Sequence, residues 1–375
     1  MYRGSTVGVV VPAYNEAGHV GEVIDTMPPF VDRIYAVDDA STDDTWNEIR
    51  RHAERANQAV EDPPTTKNGR ELSPRVVTIR HERNRGVGAA IKAGYRRALR
   101  DGIDATAVMA GDGQMNPNHL GRLVDPVVEG TVDYAKGNRL HSPENRRDMS
   151  RWRLFGNGVL TLLTRISSGY WSMTDPQNGF TVISHDALDR IRLDRLYDRY
   201  GFANELLVEL NGSEFPIADV SHPAVYGDER SHIRYASFVP TLSWILLWRF
   251  LWRLKTRYLV REFHPIVACY PAGFLGIVAG VAGGVYALVA YAGSSFLGGM
   301  MSLVLLLLGV VTAALAVWFD FERNEELAVS IVPEAPRSRT AEATGWQPGT
   351  DPGLVGNGGE VVTYDRDRLP GSEVE

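Results

Sequence analysis

Two polar segments near the N-terminus carry side chains that suit a nucleotide. Pro12–Glu16 follows a short apolar run and combines the backbone N–H groups of a turn with Tyr14, whose ring can stack on a base. Asp38 and Asp39 end the next apolar run, and because successive side chains alternate in direction, one of them can face a ligand. Carboxylates there suit ribose hydroxyls or a uracil or guanine N–H, and they would repel phosphate. Considered alone, the pair could instead cap a helix.

Apolar runs and helical patterns predict the elements that position these side chains. Four strands are predicted at Val7–Val11, Ile34–Val37, Val76–Ile79 and Ala105–Met109. Helices are predicted between them at Glu16–Met27, at Ser41–Ala56 with Ser41 as N-cap, and at Gly88–Arg100. This alternation implies an α/β domain with a largely parallel sheet and helices on both faces. Ligands of such sheets bind at the carboxyl ends of the strands, where both polar segments and a third, Gly111–Gln114, lie.

A long uncharged stretch predicts two membrane crossings. No charged residue occurs from Pro265 to Phe319, and about 20 apolar residues suffice for one helix to cross the hydrocarbon core. Gly293-Ser294-Ser295 interrupts the stretch where a tight turn would lie. We predict transmembrane helices at Ile266–Ala292 and Phe296–Phe319; the alternative is a helical hairpin buried in a domain core.

Basic residues on both flanks predict the orientation of this pair. Arg323 follows the second helix, and the connecting turn has no basic residue. Five basic residues precede the first helix: Arg249, Arg253, Lys255, Arg257 and Arg261. Positive residues stay on the cytoplasmic side. The run Val7–Val11 is too short for a signal peptide and lacks a basic leader. We therefore expect a multi-pass protein of the cell membrane whose large domain is cytoplasmic.

The segment before the first apolar helix predicts an interfacial helix. Its apolar stripe consists of residues three and four positions apart: Trp244, Leu247, Trp248, Leu251 and Trp252. A neighbouring stripe contains Arg249, Arg253 and Arg257. Indole rings favour the headgroup layer and arginines favour anionic lipid, so the pattern is typical of a helix lying on a membrane. The alternative is a helix packed on the domain core.

Composition excludes several classes of partner and site. The net charge of −7 argues against nucleic-acid binding, which usually demands a basic surface. The single cysteine, Cys269, excludes internal disulfides and cysteine-based zinc sites. After Pro333 the chain is rich in Pro, Gly and Glu, which predicts a disordered tail. Asn57–Pro74 is predicted to be a surface loop.

Seven motifs, together with one further segment, resemble those of the family 2 glycosyltransferases, inverting enzymes of GT-A fold. The motifs occur in the expected order between roughly Val7 and Ile233: VVVPAYNE (9–16), VDDASTDDT (37–45), NRGVGAAIKAGY (84–95), GDGQMNP (111–117), KGNR (136–139), TDPQNGF (174–180) and FANELL (202–207). The further segment, YGDERSHI (226–233), resembles the one in which these enzymes hold a phosphate acceptor. A helix pair after such a domain resembles the polyprenyl-phosphate hexosyltransferases, the group of dolichol-phosphate mannose synthase.

The resemblance implies a GT-A, Rossmann-like catalytic domain at residues 1–235. It would be followed by an amphipathic juxtamembrane helix at 236–262, two transmembrane helices at 263–320 and a disordered tail at 333–375. The residues around the nucleotide would be Pro12, Tyr14, Glu16 and Asp39. Asp112 and Gln114 match a D-x-D-x-Q pattern in which Mg²⁺ or Mn²⁺ bridges the donor diphosphate. Ala110 replaces the first carboxylate of this pattern, so a weaker metal site, or metal-independent binding, is an open alternative.

The chemistry of a lipid phosphate acceptor determines which side chains the site requires. Such a phosphate is already ionised at neutral pH, so it needs cations to hold it and no general base. The predicted clamp consists of Arg139, Arg153 and Arg230 with Ser231 as a hydroxyl donor. Asp175, with Glu205, is predicted either to orient sugar hydroxyls or to play a structural role. The predicted catalytic set is Asp112, Arg139, Asp175 and Arg230.

These expectations combine into one function with stated alternatives. We predict inverting transfer of a hexose from GDP-mannose or UDP-glucose to dolichyl or polyprenyl phosphate, as in protein glycosylation, glycolipid synthesis or cell-wall decoration. An inactive membrane-bound scaffold that binds nucleotide sugars and a transferase for another glycolipid acceptor are the alternatives. A processive polysaccharide synthase is disfavoured because Asp148 stands where its Q-x-x-R-W motif has glutamine, and a sugar nucleotidyltransferase because PAYNE is not its Gly- and Arg-rich loop.

Overall fold

A computed structural model describes residues 1–60, 62–139, 151–221, 235–289 and 295–331 of the chain. Its strands are β1 Val7–Ala13, β2 Arg33–Asp38, β3 Val76–Arg80, β4 Ala105–Val108, β5 Tyr134–Asn138, β6 Thr181–Ser184, β7 Ile217–Ser221 and β8 Ala328–Ile331. Its α-helices are α1 Val20–Asp25, α2 Thr45–Gln58, α3 Val87–Asp101, α4 Leu120–Val128, α5 Arg151–Ser168, α6 His185–Arg190, α7 Phe202–Gly212, α8 Tyr235–Arg253, α9 Ile266–Val289 and α10 Ser295–Asn324. A π-helical segment, Leu254–Arg261, joins α8 to the turn before α9.

One mixed sheet organises the domain, with the strand order β3-β2-β1-β4-β6-β5-β7-β8. Every pairing is parallel except those of β6 with β4 and with β5. Because β6 alone runs against its neighbours, β1, β2, β4 and β5 end at the same edge of the sheet. The predicted α/β class with a mostly parallel sheet, followed by two apolar helices, is confirmed.

The β-branched run of β1 forms a central strand whose seven residues are all buried. Val9 and Val11 pack into the cluster beneath α1, α2 and α4, while Val10 points into the opposite cluster with α3 and α7. Gly94 of α3 lies directly on Val10, because a Cβ added there would come within 2.4 Å of the valine side chain. Helices therefore cover both faces of the sheet and hold its edge of strand ends in place.

Two predicted helix starts are wrong. The first helix begins at Val20 rather than Glu16, because Asn15 and Gly18 adopt positive φ values of 56° and 91°, which a right-handed helix cannot contain. The second begins at Thr45 with Asp44 at the N-cap. Ser41, the predicted cap, accepts the Asn15 N–H instead, at 2.9 Å.

Two long apolar helices extend from the domain, as predicted. Candidate membrane spans are Ile266–Val289 and Phe296–Leu327, and only 11% and 17% of their most apolar windows is buried. A hairpin buried in a domain core is therefore wrong. The helices meet through small residues, since a Cβ on Gly273 or Gly280 would lie under 3.0 Å from the α10 backbone. The predicted turn at 293–295 falls largely outside the described residues.

The apolar stripe of α8 is only partly as predicted. Trp244 and Trp248 are 60% and 57% exposed and form an edge-to-face pair. Trp252 does not share their face, since its ring lies under the guanidinium groups of Arg192 and Arg249, 5.1 and 5.0 Å from the ring centroid. Trp244 and Trp248 thus form an exposed pair on the surface of α8.

The prediction that Arg249, Arg253 and Arg257 meet anionic lipid is wrong. Their side chains are 11%, 0% and 3% exposed and pair with acidic side chains within the protein. Helical periodicity identified a common stripe, but it carried no information on what packs against that stripe. Carboxylates of α7 and α10 lie there, at Glu205, Glu209 and Asp320.

Candidate active site

The turn after β1 is braced against the segment after β2. Asn15 has a φ of 56°, and its side-chain oxygen accepts the Thr42 N–H at 2.9 Å. Glu16 donates its backbone N–H to the hydroxyl of Thr45 at 2.8 Å. Pro12 lies buried at the end of β1, and Tyr14 is 44% exposed beside it. The two segments predicted to face a nucleotide therefore form one wall with an accessible aromatic ring.

Asp39 organises the turn that precedes α3. Its carboxylate is buried and accepts the N–H groups of Arg85, at 3.0 Å, and Gly86, at 2.6 Å. His81 lies with Nδ1 2.6 Å from the same carboxylate. Gly86 has a φ of 100°, which only glycine adopts readily. Asp39 thus joins the β2 end to the Asn84–Gly88 turn.

Asp38 has a structural role, although it does not cap a helix, which was the open alternative for this pair. It is fully buried, and its Oδ1 accepts the Ser41 N–H at 3.0 Å. Its Oδ2 lies 3.1 Å from Nε of Arg80 on the neighbouring strand. Of the two adjacent carboxylates, Asp38 therefore closes the loop after β2.

The tight turn after β4 presents Asp112 and Gln114. Gly111 donates its N–H to the Pro12 carbonyl at 3.0 Å, which fixes this turn beside the end of β1. Asp112 Oδ1 accepts the Gln114 N–H at 3.0 Å, and Gly113 between them has a φ of 73°. Both side chains are half-buried.

The donor set on this turn fits a hard divalent cation. In the part of the chain that the structure describes, no group of three His, Cys, Asp or Glu side chains could hold a metal by itself. Asp112 and Gln114 offer a carboxylate and a carboxamide oxygen, and Mg²⁺ typically completes such a set with water and substrate phosphates. The turn therefore suits a metal that arrives with, or is completed by, a diphosphate.

Arg139 and Asp175 meet directly. The guanidinium donates from Nε to Oδ2 at 2.9 Å and from Nη2 to Oδ1 at 3.2 Å, a two-pronged ion pair. Asp175 is 6% exposed and has a φ of 45°. Burial acts to raise the pKa of Asp175, but the charge and hydrogen bonds of Arg139 outweigh it and hold that pKa below its ordinary value. Asp175 is thus an anion at neutral pH.

A buried network that sequence reasoning missed supports Asp175. Lys136 of β5 and Asp219 of β7 form an ion pair at 2.5 Å with side chains 1% and 3% exposed. Asp219 Oδ2 accepts the N–H of Thr174 at 2.7 Å and also the Asn138 amide at 3.3 Å. Lys136 and Asn138 stood in the KGNR motif, whereas Asp219 gave no signal because β7 was not predicted.

The two halves of the site lie at one edge of the sheet. The loop that contains Asp175 leads into β6, which pairs antiparallel with both β4 and β5. A Cβ on Gly179 in this loop would lie 3.4 Å from the Met115 methyl group, just after the Asp112 turn. The structure thus brings together the wall formed by the segments after β1 and β2, the Asp112–Gln114 turn and the Arg139–Asp175 pair.

Other predicted site residues are not placed at this edge. Arg230 and Ser231 lie outside the described residues, as does the side chain of Arg153 at the start of α5. Glu205 is buried in α7, where it accepts the Tyr197 N–H at 2.5 Å and pairs with Arg249 at 3.3 Å. Glu205 has the structural role that was one of its two predicted readings.

A known family and several known proteins are similar to this chain. The sequence profile described as Glycosyl transferase family 2 matches residues 8–192. UDP-N-acetylglucosamine–dolichyl-phosphate N-acetylglucosaminyltransferase of Methanococcus voltae is 27% identical over 219 residues, 58% of this chain and 85% of the relative. Undecaprenyl-phosphate mannosyltransferase of Micrococcus luteus is 30% identical over 206 residues, 52% of this chain and 72% of the relative. The crystal structure of glucosyl-3-phosphoglycerate synthase from Mycobacterium tuberculosis is 20% identical with a TM-score of 0.44, covering 67% of this chain and 79% of that one.

Proposed function

Because this chain belongs to glycosyltransferase family 2, we propose that it transfers a sugar, with inversion, from a nucleotide sugar to the phosphate of a dolichyl or polyprenyl lipid. One observation carries the proposal: the second apolar helix returns directly into the catalytic sheet through β8, which pairs with β7. Such an attachment would hold the domain at the bilayer, where a lipid-linked acceptor is confined. The M. voltae and M. luteus relatives are named for transfer to dolichyl and undecaprenyl phosphate.

The donor would bind along the edge formed by the ends of β1, β2 and β4. Tyr14 supplies a ring for the base, with Pro12, Glu16 and Asp39 around it. Asp112 and Gln114 would hold Mg²⁺ or Mn²⁺. When bound, the cation neutralises charge on the diphosphate, which improves it as a leaving group. The bond from the anomeric carbon to the diphosphate oxygen breaks, and nucleoside diphosphate leaves.

The acceptor phosphate attacks the opposite face of the anomeric carbon through one of its oxygens. It is ionised already, so the chain needs no general base. Arg139, with Arg153, Arg230 and Ser231, would hold the phosphate and offset its repulsion from the donor. Asp175, an anion fixed against Arg139, orients that guanidinium.

The site would lie on the cytoplasmic side, where nucleotide sugars are soluble. Arg261 precedes the first candidate span, and Arg323 lies within the second, near the end that leads back to the domain. The tryptophan pair Trp244 and Trp248 would lie at headgroup depth beside them. The acceptor phosphate would then reach Arg139 without leaving the leaflet.

A donor screen tests the proposal. Membranes containing the full chain are incubated with labelled GDP-mannose, UDP-glucose or UDP-N-acetylglucosamine and with undecaprenyl or dolichyl phosphate, with and without EDTA. We expect one donor to give a chloroform-soluble product that EDTA suppresses and that membranes with Asp112→Asn lack. Nucleotide-sugar binding without a lipid product from any donor would contradict transfer and support the scaffold alternative.

A further inference from the structure

A buried ion pair joins the segment before the first apolar helix to the end of the second. Arg253, the last residue of α8, donates from Nη1 to Asp320 Oδ1 at 2.9 Å and from Nη2 to Oδ2 at 2.8 Å. Both side chains are 0% exposed. Asp320 directly follows the uncharged stretch that ends at Phe319. The pair therefore lies at the junction between the catalytic domain and the candidate spans.

Further hydrogen bonds complete this junction. Tyr258 in the π-helical segment donates its hydroxyl to Asp320 Oδ1 at 2.6 Å. Arg253 Nη2 also donates to the carbonyl of Ile166 near the end of α5, at 3.1 Å. Arg257 donates to the Asn211 side-chain oxygen of α7 at 2.8 Å. One polar cluster thus ties α5, α7, α8 and α10 together.

Buried charged groups of this kind contribute little net stability to a fold. Removing two charges from water is costly, and well-packed apolar residues often stabilise a buried site as well or better. What a bidentate arginine–carboxylate pair supplies is a defined relative geometry of the two backbones. The pair therefore gives the end of α8 a defined orientation against α10.

The same junction continues into the candidate active site through the sheet. Four residues after α10, strand β8 begins and pairs in parallel with β7 in the register Asp219↔Ser330. Asp219 holds the N–H of Thr174, the residue before Asp175. The pairing of β8 with β7 and the buried carboxylate of Asp219 therefore connect the second apolar helix to the Arg139–Asp175 pair.

We infer that Arg253 and Asp320 are positioning residues that set the depth and orientation of the Arg139–Asp175 site relative to the bilayer, and hence its alignment with a lipid-anchored phosphate. This inference rests on the proposed function for its acceptor. They touch no reacting atom. Their effect is specific to an acceptor whose own position the membrane fixes, because a soluble acceptor can follow the site wherever it lies.

The test compares two acceptors in full-length protein reconstituted in lipid nanodiscs. One acceptor is undecaprenyl phosphate in the bilayer, and the other is a short water-soluble isoprenyl phosphate. The variants are Asp320→Asn and the exchanged pair Arg253→Asp/Asp320→Arg. Glu262→Gln is the matched control, because Glu262 pairs with Arg323 at the same junction at 2.6 Å but both side chains are over 40% exposed.

For Asp320→Asn we expect kcat/KM for the bilayer acceptor to fall about tenfold or more, since small misplacement of a site costs up to about 100-fold in rate. We expect kcat/KM for the soluble acceptor to change less than twofold. The exchanged pair recovers most of the loss, and Glu262→Gln behaves as wild type. Equal losses with both acceptors, or no loss with either, would overturn the inference.

A second readout separates this inference from the proposed function. A fluorophore on Glu54→Cys, an exposed position of α2, in a Cys269→Ala background reports its distance to labelled headgroups by energy transfer. We expect Asp320→Asn to broaden that distance distribution even if no lipid product forms with any donor. An unchanged distribution would overturn the inference whatever the enzymatic result.

Discussion

Arg139 and Asp175 form a bidentate ion pair at the edge of the sheet where the candidate donor site lies, with Nε 2.9 Å from Oδ2 and Nη2 3.2 Å from Oδ1. Arg139 is 41% exposed while Asp175 is buried, so the pair presents a cation whose direction a hidden anion sets. Asn178 adds a side-chain hydrogen bond to Asp175 Oδ2 at 3.3 Å. A phosphate that approaches this edge therefore meets an arginine already fixed in orientation.

Asp175→Asn tests this relationship. Asparagine tolerates the φ of 45° at this position and keeps the shape of the side chain, so the fold is expected to persist. Loss of the charge leaves Arg139 unfixed, and we expect kcat for transfer to fall about 100-fold, as when one preorganised group of an active site is lost. Nucleoside diphosphate affinity, measured by calorimetry, should change less than twofold. A wild-type rate would show that transfer does not require the charge of Asp175 to orient Arg139.

The opposite pKa shifts of Glu205 and Asp175 predict opposite dependences of the free energy of unfolding on pH. Burial raises the pKa of Glu205 above 4.5, and Arg249 only partly offsets this, so the folded state keeps a proton that the unfolded state has lost. Stability from this group therefore falls as pH rises from 4.5 through the folded pKa. The melting temperature of Glu205→Gln relative to wild type should rise over that interval.

Asp175 is the matched contrast, because the pKa of its buried carboxyl lies below 3.8 when Arg139 is paired with it. Its contribution is fully present above pH 3.8 and is lost as pH falls through the folded pKa. Relative to wild type, Asp175→Asn should therefore lose less stability on acidification below 3.8. Parallel pH profiles for the two variants would contradict both assignments.

The parts of the fold that sequence patterns predicted are those that depend on local composition. The apolar run Val7–Val11 specified a buried strand, and parallel strands necessarily bring Pro12–Glu16 and Asp39 to one edge. Helix starts were less predictable, since the turn at Asn15 depends on hydrogen bonds with Ser41 and Thr42, which lie 26 and 27 residues away.

The remainder depended on contacts distant in sequence. Strand β8 has four residues and pairs with Ile217–Ser221, more than 100 residues upstream, so no local pattern marks it. Arg253 looked like a membrane-facing charge because its partner, Asp320, lies 67 residues later beyond both apolar helices. Asp219 was missed for the same reason, and with it the support of Asp175.

Gly94→Ala should destabilise the domain. A methyl group there would lie 2.4 Å from Val10 Cγ1, at the contact between α3 and β1, and overpacking of this kind costs about 1–3 kcal/mol. The matched control is Gly158→Ala in α5, where a Cβ meets no described atom within 4 Å. Alanine in a helix interior is favoured over glycine by about 0.5–1 kcal/mol, so this control should be stabilised slightly. Thermal unfolding in detergent measures both, and equal effects would contradict the packing argument.

Ala110→Asp should increase the affinity of the site for a divalent cation. Ala110 stands at the first position of the turn that carries Asp112 and Gln114, and its N–H is already fixed by Met115 Sδ at 3.3 Å. A second carboxylate adds a hard charged ligand, and ligand charge strongly tunes affinity for divalent cations. We expect the Mg²⁺ or Mn²⁺ concentration for half-maximal transfer to fall about tenfold, by the same dependence on charge. Ala110→Asn, which adds a neutral oxygen, should shift it far less. If Ala110→Asp leaves the metal titration unchanged, this turn does not hold the cation.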